Sequence, residues 1–252
     1  MLTAERRRLI LDALSQNGKV IASELSQRFG VSEDTVRRDL RGLARDGLLH
    51  RVHGGAMPRP PVSAIYAARQ GQSADAKEAI GAAAVKLLAE GQLVAIDGGT
   101  TPLAVARHIP ADLRLTVITH SLPAAMALCE HPAVEVILVG GRLLKAARGA
   151  VGATAVDAYR QVRPDVCVLG AAAFHAEAGA TTFDAEDAQV KRAMAEHAGV
   201  VVAVSAAEKL GTVAAHVIVP AGRLTHLVTD VTASAEVLRD FRELGLAVII
   251  AD

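Results

Sequence analysis

Between residues 93 and 250, short apolar segments alternate with segments of helical periodicity, and this alternation constrains the fold more than any other feature of the chain. Apolar runs bounded by glycine, proline or polar residues are typical of buried strands, and strands that alternate with helices form parallel sheets. The expected strands are 93–97, 115–119, 134–139, 166–169, 200–204, 216–219, 226–229 and 247–250. The expected helices are an amphipathic segment from Ser73 to Gly91 and the segments 102–109, 123–130, 185–197 and 233–244. The sequence therefore predicts a mostly parallel α/β domain.

The composition favours the same fold. Hydrophobic residues make up 51% of the chain, but aromatic residues only 2%, and there is no tryptophan. The core must therefore be built from alanine, valine, leucine and isoleucine, which suits parallel strands covered by alanine-rich helices.

The cysteines and the N-terminus indicate the compartment. Cys129 and Cys167 lie in apolar segments without the spacing of a zinc site or a disulfide framework, so we expect no metal and a reducing environment. Asp12 interrupts the first apolar stretch, which argues against a signal peptide, and no apolar run is long enough to span a bilayer. We expect a cytoplasmic protein with no membrane partner.

The formal net charge of zero conceals an asymmetry between the two ends of the chain. Residues 1–57 carry 10 Lys and Arg against 7 Asp and Glu, a balance of +3, and residues 58–252 carry 17 against 20, a balance of −3. A basic segment joined to a mildly acidic body is expected when only one end meets nucleic acid.

The first 57 residues show the pattern of a helix-turn-helix. Helices are expected at about 4–16 and 21–29, and a third begins after a turn at Gly30, with Ser32 as its cap, and ends near Asp46. One face of this third helix carries Val36, Leu40 and Leu43. The opposite face and its flanks carry Asp34, Thr35, Arg37, Arg38, Arg41 and Arg45.

This polar face is suited to duplex DNA. Guanidinium groups contact phosphates or pair with guanine, and Thr35 near the helix start is placed to reach a base edge. After the helix, residues 47–55 are expected to form two short strands, or a wing, with His50, Arg51 and His53 near the DNA backbone. The alternative is a three-helix bundle whose arginines only solvate a surface. The combination of turn, arginines and wing favours DNA binding.

The segment Val31-Ser32-Glu33-Asp34-Thr35-Val36-Arg37-Arg38-Asp39-Leu40, followed by Gly47-Leu48-Leu49-His50-Arg51-Val52-His53-Gly54-Gly55-Ala56, resembles the N-terminal signature of the DeoR family of transcriptional regulators. The resemblance implies a helix-turn-helix at about 20–39 and repression as the usual mode of action. It also implies that Ser32, Thr35, Arg37 and Arg38 contact the operator. The predicted DNA-binding set is Ser32, Glu33, Thr35, Arg37, Arg38, Arg41, Arg51 and His53.

A proline-rich segment separates the two parts of the chain. Met57-Pro58-Arg59-Pro60-Pro61 restricts backbone angles and removes three amide donors, so it predicts a stiff connector. The expected organisation is a DNA-binding domain at 1–57, a linker at 58–73 and an α/β domain at 74–252.

The loop after the first strand of the α/β domain is suited to bind phosphate. Asp97 ends the strand, Gly98 and Gly99 allow a tight turn, and Thr100 and Thr101 supply hydroxyls where a helix begins. Free amides and hydroxyls at the positive end of a helix favour an anion. An ordinary strand-turn-helix junction, with Thr101 as a plain N-cap, explains the same residues equally well.

Later loops repeat this arrangement, because ligands of parallel sheets bind where strands end. His120 and Ser121 follow the second strand, and Arg142 follows the third. Each also has a structural explanation: an incidental histidine, a helix cap and a solvated arginine. Lys191 and Lys209 are further candidates to balance a phosphate.

The resemblance to the DeoR family extends over these loops. The matching blocks are Asp97-Gly98-Gly99-Thr100-Thr101, Thr119-His120-Ser121, Gly140-Gly141-Arg142, Val190-Lys191-Arg192-Ala193-Met194, Lys209-Leu210-Gly211 and Thr229-Asp230. The resemblance implies a sensor domain with a fold similar to ribose-5-phosphate isomerase and CoA transferases, in which the loop 97–101 holds an effector phosphate. This chain departs from the family at His120, where Asn is usual, and at Ala206-Ala207-Glu208-Lys209, where Asp-Ser-Ser-Lys is common.

These observations predict a repressor of carbohydrate-metabolism genes that is gated by a phosphorylated sugar or a related small anion. We expect it to bind double-stranded operator DNA as a homo-oligomer, a dimer or tetramer, without cofactor. The alternative is a sugar-phosphate isomerase-like enzyme with Asp97, Asp184 or Glu186 as general base. An isomerase has no use for the arginine-bearing helix and the wing, so no catalytic residue is expected. A constitutive DNA-binding protein would leave the phosphate-type loop unexplained.

Overall fold

The computed structural model describes residues 1–61 and 65–252. The N-terminal domain contains α1 (Thr3–Asn17), β1 (Val20–Ile21), α2 (Ala22–Phe29), α3 (Glu33–Arg45), β2 (His50–Val52) and β3 (Gly55–Met57). The next segment contains α4 (Tyr66–Gln70) and α5 (Ala74–Ala84), which is followed by a 3-10 turn at Val85–Leu87.

The α/β domain continues with strands and helices in alternation. They are β4 (Leu93–Ile96), α6 (Thr100–Arg107), β5 (Leu115–Thr119), α7 (Leu122–Leu128), β6 (Val134–Leu138), β7 (Arg142–Leu144), β8 (Gly149–Val151), α8 (Ala153–Arg160), β9 (Val166–Leu169), β10 (Ala173–His175), β11 (Gly179–Thr182), α9 (Ala185–Glu196), β12 (Val200–Val204), β13 (His216–Val219), β14 (His226–Asp230), α10 (Ala235–Glu243) and β15 (Ala247–Ala251).

The three N-terminal helices pack around one small core, and β1, β3 and β2 form an antiparallel sheet beside them. α2 ends at Gly30, which adopts a φ of 64°, and the side chain of Ser32 accepts a hydrogen bond from Thr35 N–H. The expected turn and cap are therefore present. On the inner side of α3, the buried carboxylate of Asp39 pairs with Arg6 and Arg7 of α1. This pairing fixes α3 against α1. The predicted winged helix-turn-helix is confirmed.

Seven strands form one parallel sheet in the order β15-β14-β12-β9-β4-β5-β6, which confirms the predicted α/β fold. One apolar core lies on the face covered by α8, α9 and α10 and includes Tyr159 and Phe241. A second core lies on the other face, under α5, α6 and α7, and includes Ile80 and Leu128. The strand ends are thus held between two helical layers, and the loops that follow them meet at one edge.

One predicted strand lies in a different sheet. The segment 216–219 is a strand, but it pairs antiparallel with β11 in a small sheet of order β10-β11-β13. The sequence shows the strand but not its partner, because apolar alternation does not specify the neighbouring strand. The prediction that this strand belongs to the parallel sheet was wrong.

The structure also contains elements that the periodicity did not predict: α8 and the hairpins β7–β8 and β10–β11. These segments are short, and their apolar residues show no sustained helical or alternating period. None of the helices in residues 1–61 and 65–252 is both long and apolar enough to cross a membrane.

Candidate functional site

The outer face of α3 is an exposed arginine surface. Arg37, Arg38, Arg41 and Arg45 are exposed, whereas Val36 and Leu40 are buried against the domain core. Arg37 Nη2 pairs with Glu33 at 2.6 Å, one helical turn earlier. Within the described parts of the chain, no carboxylate lies within 4 Å of the other three guanidinium groups. Their charge is therefore available to an external anion.

The other predicted DNA-binding residues lie at the start of α3 and on the wing. The Oγ atoms of Ser32 and Thr35 lie 3.0 Å apart at the N-terminus of the helix. The wing consists of the antiparallel strands β2 and β3, and its residues Arg51 and His53 are exposed. A helix terminus and a hairpin with exposed cations offer backbone and side-chain donors for phosphates.

At the end of β4 the chain turns sharply into α6. Gly99 adopts a φ of 133°, in a region that L-residues avoid, so a glycine is needed at this position. Thr100 and Thr101 are buried in the first turn of α6, and neither hydroxyl has a hydrogen-bond partner within residues 1–61 and 65–252. Thr101 is thus not the N-cap that an ordinary junction would use; the cap position is Gly99.

Asp97 lies at the centre of a buried polar cluster. Its carboxylate accepts hydrogen bonds from Lys191 Nζ at 2.7 Å, from Gly170 N–H at 2.9 Å and from Gly98 N–H at 2.6 Å. Burial raises the pKa of Asp97 to about 6, although Lys191 acts to lower it. At neutral pH the carboxylate is therefore ionised and paired.

Lys191 projects from α9 and joins this cluster to a second carboxylate. Its Nζ lies 3.7 Å from Asp187, whose Oδ2 also accepts a hydrogen bond from Thr182. Burial acts to lower the pKa of Lys191, but the carboxylates of Asp187 and Asp97 outweigh burial and raise it. Lys191 is therefore a permanently charged group whose charge is already compensated.

His120 lies behind Asp97. Its Nε2 is 3.5 Å from Asp97 Oδ1, and its Nδ1 is 3.0 Å from the hydroxyl of Tyr159. Burial, and then the charge of Lys191, lower the pKa of His120 to about 4, so the ring is neutral at physiological pH. His120 therefore contacts the carboxylate of Asp97 as a neutral ring.

A cavity of about 220 Å³, which we call the β4 cavity, opens beside this cluster. Its lining residues are Arg69, Gly98, Gly99, Thr100, Thr101, Pro102, Leu144, Ala146, Ala147, Gly170, Ala171, Ala172, Thr182, Phe183, Asp184, Asp187, Lys191 and Lys209. The structure thus brings together the predicted residues Gly98, Gly99, Thr100, Thr101, Lys191 and Lys209 on one cavity, with Asp97 directly beneath.

Besides Asp97, which lies beneath it, three predicted residues do not line the β4 cavity. His120 and Ser121 are buried, and Ser121 caps α7 by accepting a hydrogen bond from Ala124 N–H at 3.3 Å. Arg142 is exposed and pairs with Glu186. Their loops follow strands as expected, but their side chains are engaged elsewhere.

Two cations distinguish the electrostatics of the β4 cavity. Lys209 is buried, and burial together with Arg69, Lys77 and Lys191 lowers its pKa to about 7. Arg69 comes from α4, within the segment predicted to be a linker, and the sequence offered no signal for it beyond a single positive charge. The backbone carbonyl of Arg69 also accepts a hydrogen bond from Lys77 Nζ at 2.6 Å.

Comparison with known proteins identifies two family models in the chain. Residues 6–58 match the DeoR-like helix-turn-helix domain, and residues 72–231 match the DeoR C terminal sensor domain. The chain is 36% identical to the HTH-type transcriptional regulator GlpR of Haloferax volcanii, over 99% of this chain and 98% of the relative. It is 32% identical to the Glycerol-3-phosphate regulon repressor of Escherichia coli, over 84% of each chain. Among solved structures, ribose 5-phosphate isomerase A from Methanocaldococcus jannaschii aligns with a TM-score of 0.40 and 16% identity, over 55% of each chain.

The buried pair predicts a pH-dependent defect. Lys191→Met should lower the free energy of unfolding by about 3–5 kcal/mol at pH 8, because it leaves the Asp97 carboxylate buried without its cation. The loss should be smaller at pH 5, where the raised pKa of Asp97 allows the carboxyl to become neutral. Urea unfolding followed by tyrosine fluorescence measures this, since both tyrosines, Tyr66 and Tyr159, lie outside the N-terminal domain.

The exposed Lys86→Met is the matched control and should change stability little at either pH. The double variant Asp97→Asn/Lys191→Met should recover part of the loss. An equal loss at pH 5 and pH 8 would contradict this account of the pair.

Proposed function

The chain belongs to the DeoR family of transcriptional regulators, and on this premise we propose that it represses carbohydrate-metabolism genes under the control of a phosphorylated sugar or a related small anion. The N-terminal domain binds operator DNA, and the effector binds in the β4 cavity. The Glycerol-3-phosphate regulon repressor among its relatives supports a small phosphate ester as effector.

One observation carries the effector proposal: the unpartnered hydroxyls of Thr100 and Thr101. A buried polar group without a hydrogen bond costs about 1–3 kcal/mol, and such groups are rare unless a ligand completes them. Both threonines line the β4 cavity at the N-terminus of α6, where the helix dipole favours negative charge. A phosphate oxygen accepts from both hydroxyls and from the free amides of this turn.

The charges around the β4 cavity support an anion. Lys191 is compensated by Asp97 and Asp187, but no carboxylate of the described residues lies within 4 Å of Lys209 Nζ. An anion beside Lys209 stabilises its protonated form, so binding draws a proton onto this lysine at neutral pH. The ligand thereby supplies the counter-charge that the protein leaves out.

The carboxylates considered for an isomerase are all engaged. Asp97 accepts from Lys191 and two backbone amides, and Asp184 caps α9 by accepting from Glu186 N–H and Asp187 N–H. Glu186 pairs with the exposed Arg142. The exposed arginines of α3 and the wing, for which an isomerase has no use, favour a regulator over an enzyme.

For operator binding, α3 enters the major groove and the wing contacts the adjacent backbone. The contacting residues are Ser32, Glu33, Thr35, Arg37, Arg38, Arg41, Arg51 and His53. The protein acts in the cytoplasm as a homo-oligomer, a dimer or tetramer, which presents two copies of α3 to half-sites separated by whole helical turns.

Arg38→Ala tests the DNA surface. Operator affinity, measured on a duplex from upstream of its own coding sequence, should fall by about 5- to 100-fold. If Arg38 contacts a phosphate, the magnitude of the salt slope should also fall by about one. The exposed Arg114→Ala of the sensor domain is the charge-matched control and should bind as the wild type does. Equal operator affinities of the two variants would show that Arg38 does not contact the operator.

Thr101→Val tests the effector site without a large change of shape. Because the Thr101 hydroxyl has no partner, the variant should be as stable as the wild type, or more stable, in the absence of ligand. Its affinity for glycerol 3-phosphate or ribose 5-phosphate should fall about tenfold, as expected for the loss of one hydrogen bond to a charged group. Calorimetry and ligand-induced thermal shifts measure both properties. The exposed Thr154→Val should leave the affinity unchanged, and a Thr101→Val variant that binds normally would exclude this turn as the phosphate site.

The lowered pKa of Lys209 predicts the pH dependence of binding. Above pH 7 Lys209 loses its proton in the free protein, whereas in the complex Lys209 keeps the proton beside the bound dianion. The affinity should therefore fall by up to about tenfold per pH unit between pH 7.5 and pH 9. Titration calorimetry in two buffers of different ionisation enthalpy should detect uptake of a proton. Lys209→Met should bind weakly and without this slope, and Lys86→Met should retain it. A wild-type affinity that does not change over this range would contradict the role of Lys209.

A further inference from the structure

The N-terminal domain meets the sensor domain at a loosely packed interface. A cavity of about 600 Å³, the interdomain cavity, is lined on one side by the end of α1 and Lys19 and on the other by His175, Glu177, the segment Leu210–Thr212 and the start of α10. Packed protein interiors leave few voids larger than a water molecule. An interface that encloses such a space is held by few contacts and can rearrange at small cost.

Among residues 1–61 and 65–252, two polar contacts that span this interface stand out. The ammonium of Lys19 pairs with the carboxylate of Glu177, and both side chains are about half exposed. Val213 N–H donates a hydrogen bond to Pro58 O at 2.9 Å, at the start of the proline-rich connector. The sensor domain therefore contacts both the DNA-binding domain and the segment that carries it.

The β10–β11 hairpin reaches from the β4 cavity to this interface. Its base, at residues 170–172 and 182–183, lines the β4 cavity, and its turn, at residues 175–177, lines the interdomain cavity. The two strands pair from Ala173↔Thr181 to His175↔Gly179, and β11 also pairs with β13. A paired and buried hairpin moves as a unit, so a shift at its base displaces Glu177 at its tip.

The segment 209–213 makes the same connection over a shorter path. Lys209 faces the β4 cavity, and its Nζ lies 3.4 Å from Ala171 O at the base of the hairpin. Gly211 N–H donates to Phe174 O at 2.8 Å, and Thr212 Oγ1 donates to Lys209 O at 2.8 Å. The next residue, Val213, donates its N–H to Pro58 O at the start of the connector. Only three residues thus separate Lys209 from Val213, which donates the hydrogen bond to Pro58.

We propose that these two segments, the β10–β11 hairpin and residues 209–213, form the route by which an anion in the β4 cavity changes the docking of the DNA-binding domain. Binding draws Lys209 toward the anion, moves residues 210–213 and the hairpin together, and alters the contacts of Lys19 and Pro58. The Lys19–Glu177 pair stabilises the unliganded docking. This inference rests on the proposed effector site, and its test separates the two.

The first experiment needs no ligand. Hydrogen exchange at pH 6, where Lys209 of the wild type is protonated, is compared between the wild type and Lys209→Met. Exchange should change at least twofold at residues 14–19 and 175–178, which do not line the β4 cavity. Because burial already favours the neutral lysine, the variant should fold, and Lys209→Gln provides a second neutral replacement. Unchanged exchange in both peptides of a folded variant would overturn the proposal.

The second experiment measures operator affinity with and without saturating inorganic phosphate or glycerol 3-phosphate. In Lys19→Glu and in Glu177→Lys, operator affinity without phosphate should move toward the phosphate-loaded value of the wild type. The phosphate-dependent fold-change should shrink by about 2- to 5-fold, the range set by the strength of exposed ion pairs. The charge-swapped Lys19→Glu/Glu177→Lys should recover it.

Matched controls are Lys86→Glu and Glu90→Lys, exposed charges of the sensor domain that line neither cavity. If the phosphates bind but the single variants respond as the wild type does, the route is wrong while the effector site stands. If neither phosphate binds the wild type, the effector class is wrong, and hydrogen exchange in Lys209→Met still decides the route.

Discussion

The buried pair between Asp97 and Lys191 organises the sensor domain. Asp97 directly follows β4, accepts a hydrogen bond from the amide of Gly170 after the neighbouring strand β9, and binds Lys191 of α9. Two strand ends and a helix are thereby held at fixed positions around the β4 cavity. A buried ion pair adds little net stability, because desolvation offsets its attraction. Its consequence here is geometric, because it fixes the position of the N-terminus of α6. It also compensates the charge of Lys191, whereas no carboxylate of the described residues lies within 4 Å of Lys209 Nζ.

The parallel sheet could be predicted because its strands are continuous valine, isoleucine and leucine runs, the pattern of strands buried on both faces. The β10–β11 hairpin could not, since Ala173, Gly179 and Ala180 are small and carry no period. These strands form because β10 pairs with β11 and β11 pairs with β13. The strand 216–219 could be predicted as a strand, but the sheet to which it belongs could not. Its residues favour a strand, but its partner is chosen by tertiary packing.

The residues of the candidate site also fall into two groups, those that could be predicted from the sequence and those that could not. Residues 97–101 could be found because loops after parallel strands gather at one edge, and the arginine face of α3 because helical periodicity fixes which residues share a side. Side-chain direction could not be predicted. His120 and Ser121 follow β5 but turn inward, Arg142 pairs outward, and Arg69 enters the β4 cavity from the connector. Each of these depends on contacts distant in sequence.

The segment 206–209 links the chain's departure from its family to its electrostatics. Ala206 is buried at the position where the resemblance to the family implies an aspartate, and Asp230 accepts a hydrogen bond from Ala207 N–H at 2.8 Å. No carboxylate of the described residues lies within 4 Å of Lys209 Nζ, and burial together with neighbouring cations lowers the pKa of Lys209 to about 7. A lysine poised in this way is about half charged when the cavity is unliganded and fully charged beside an anion. In the proposed mechanism, the charge of Lys209, and with it the position of residues 209–213, depends on the anion.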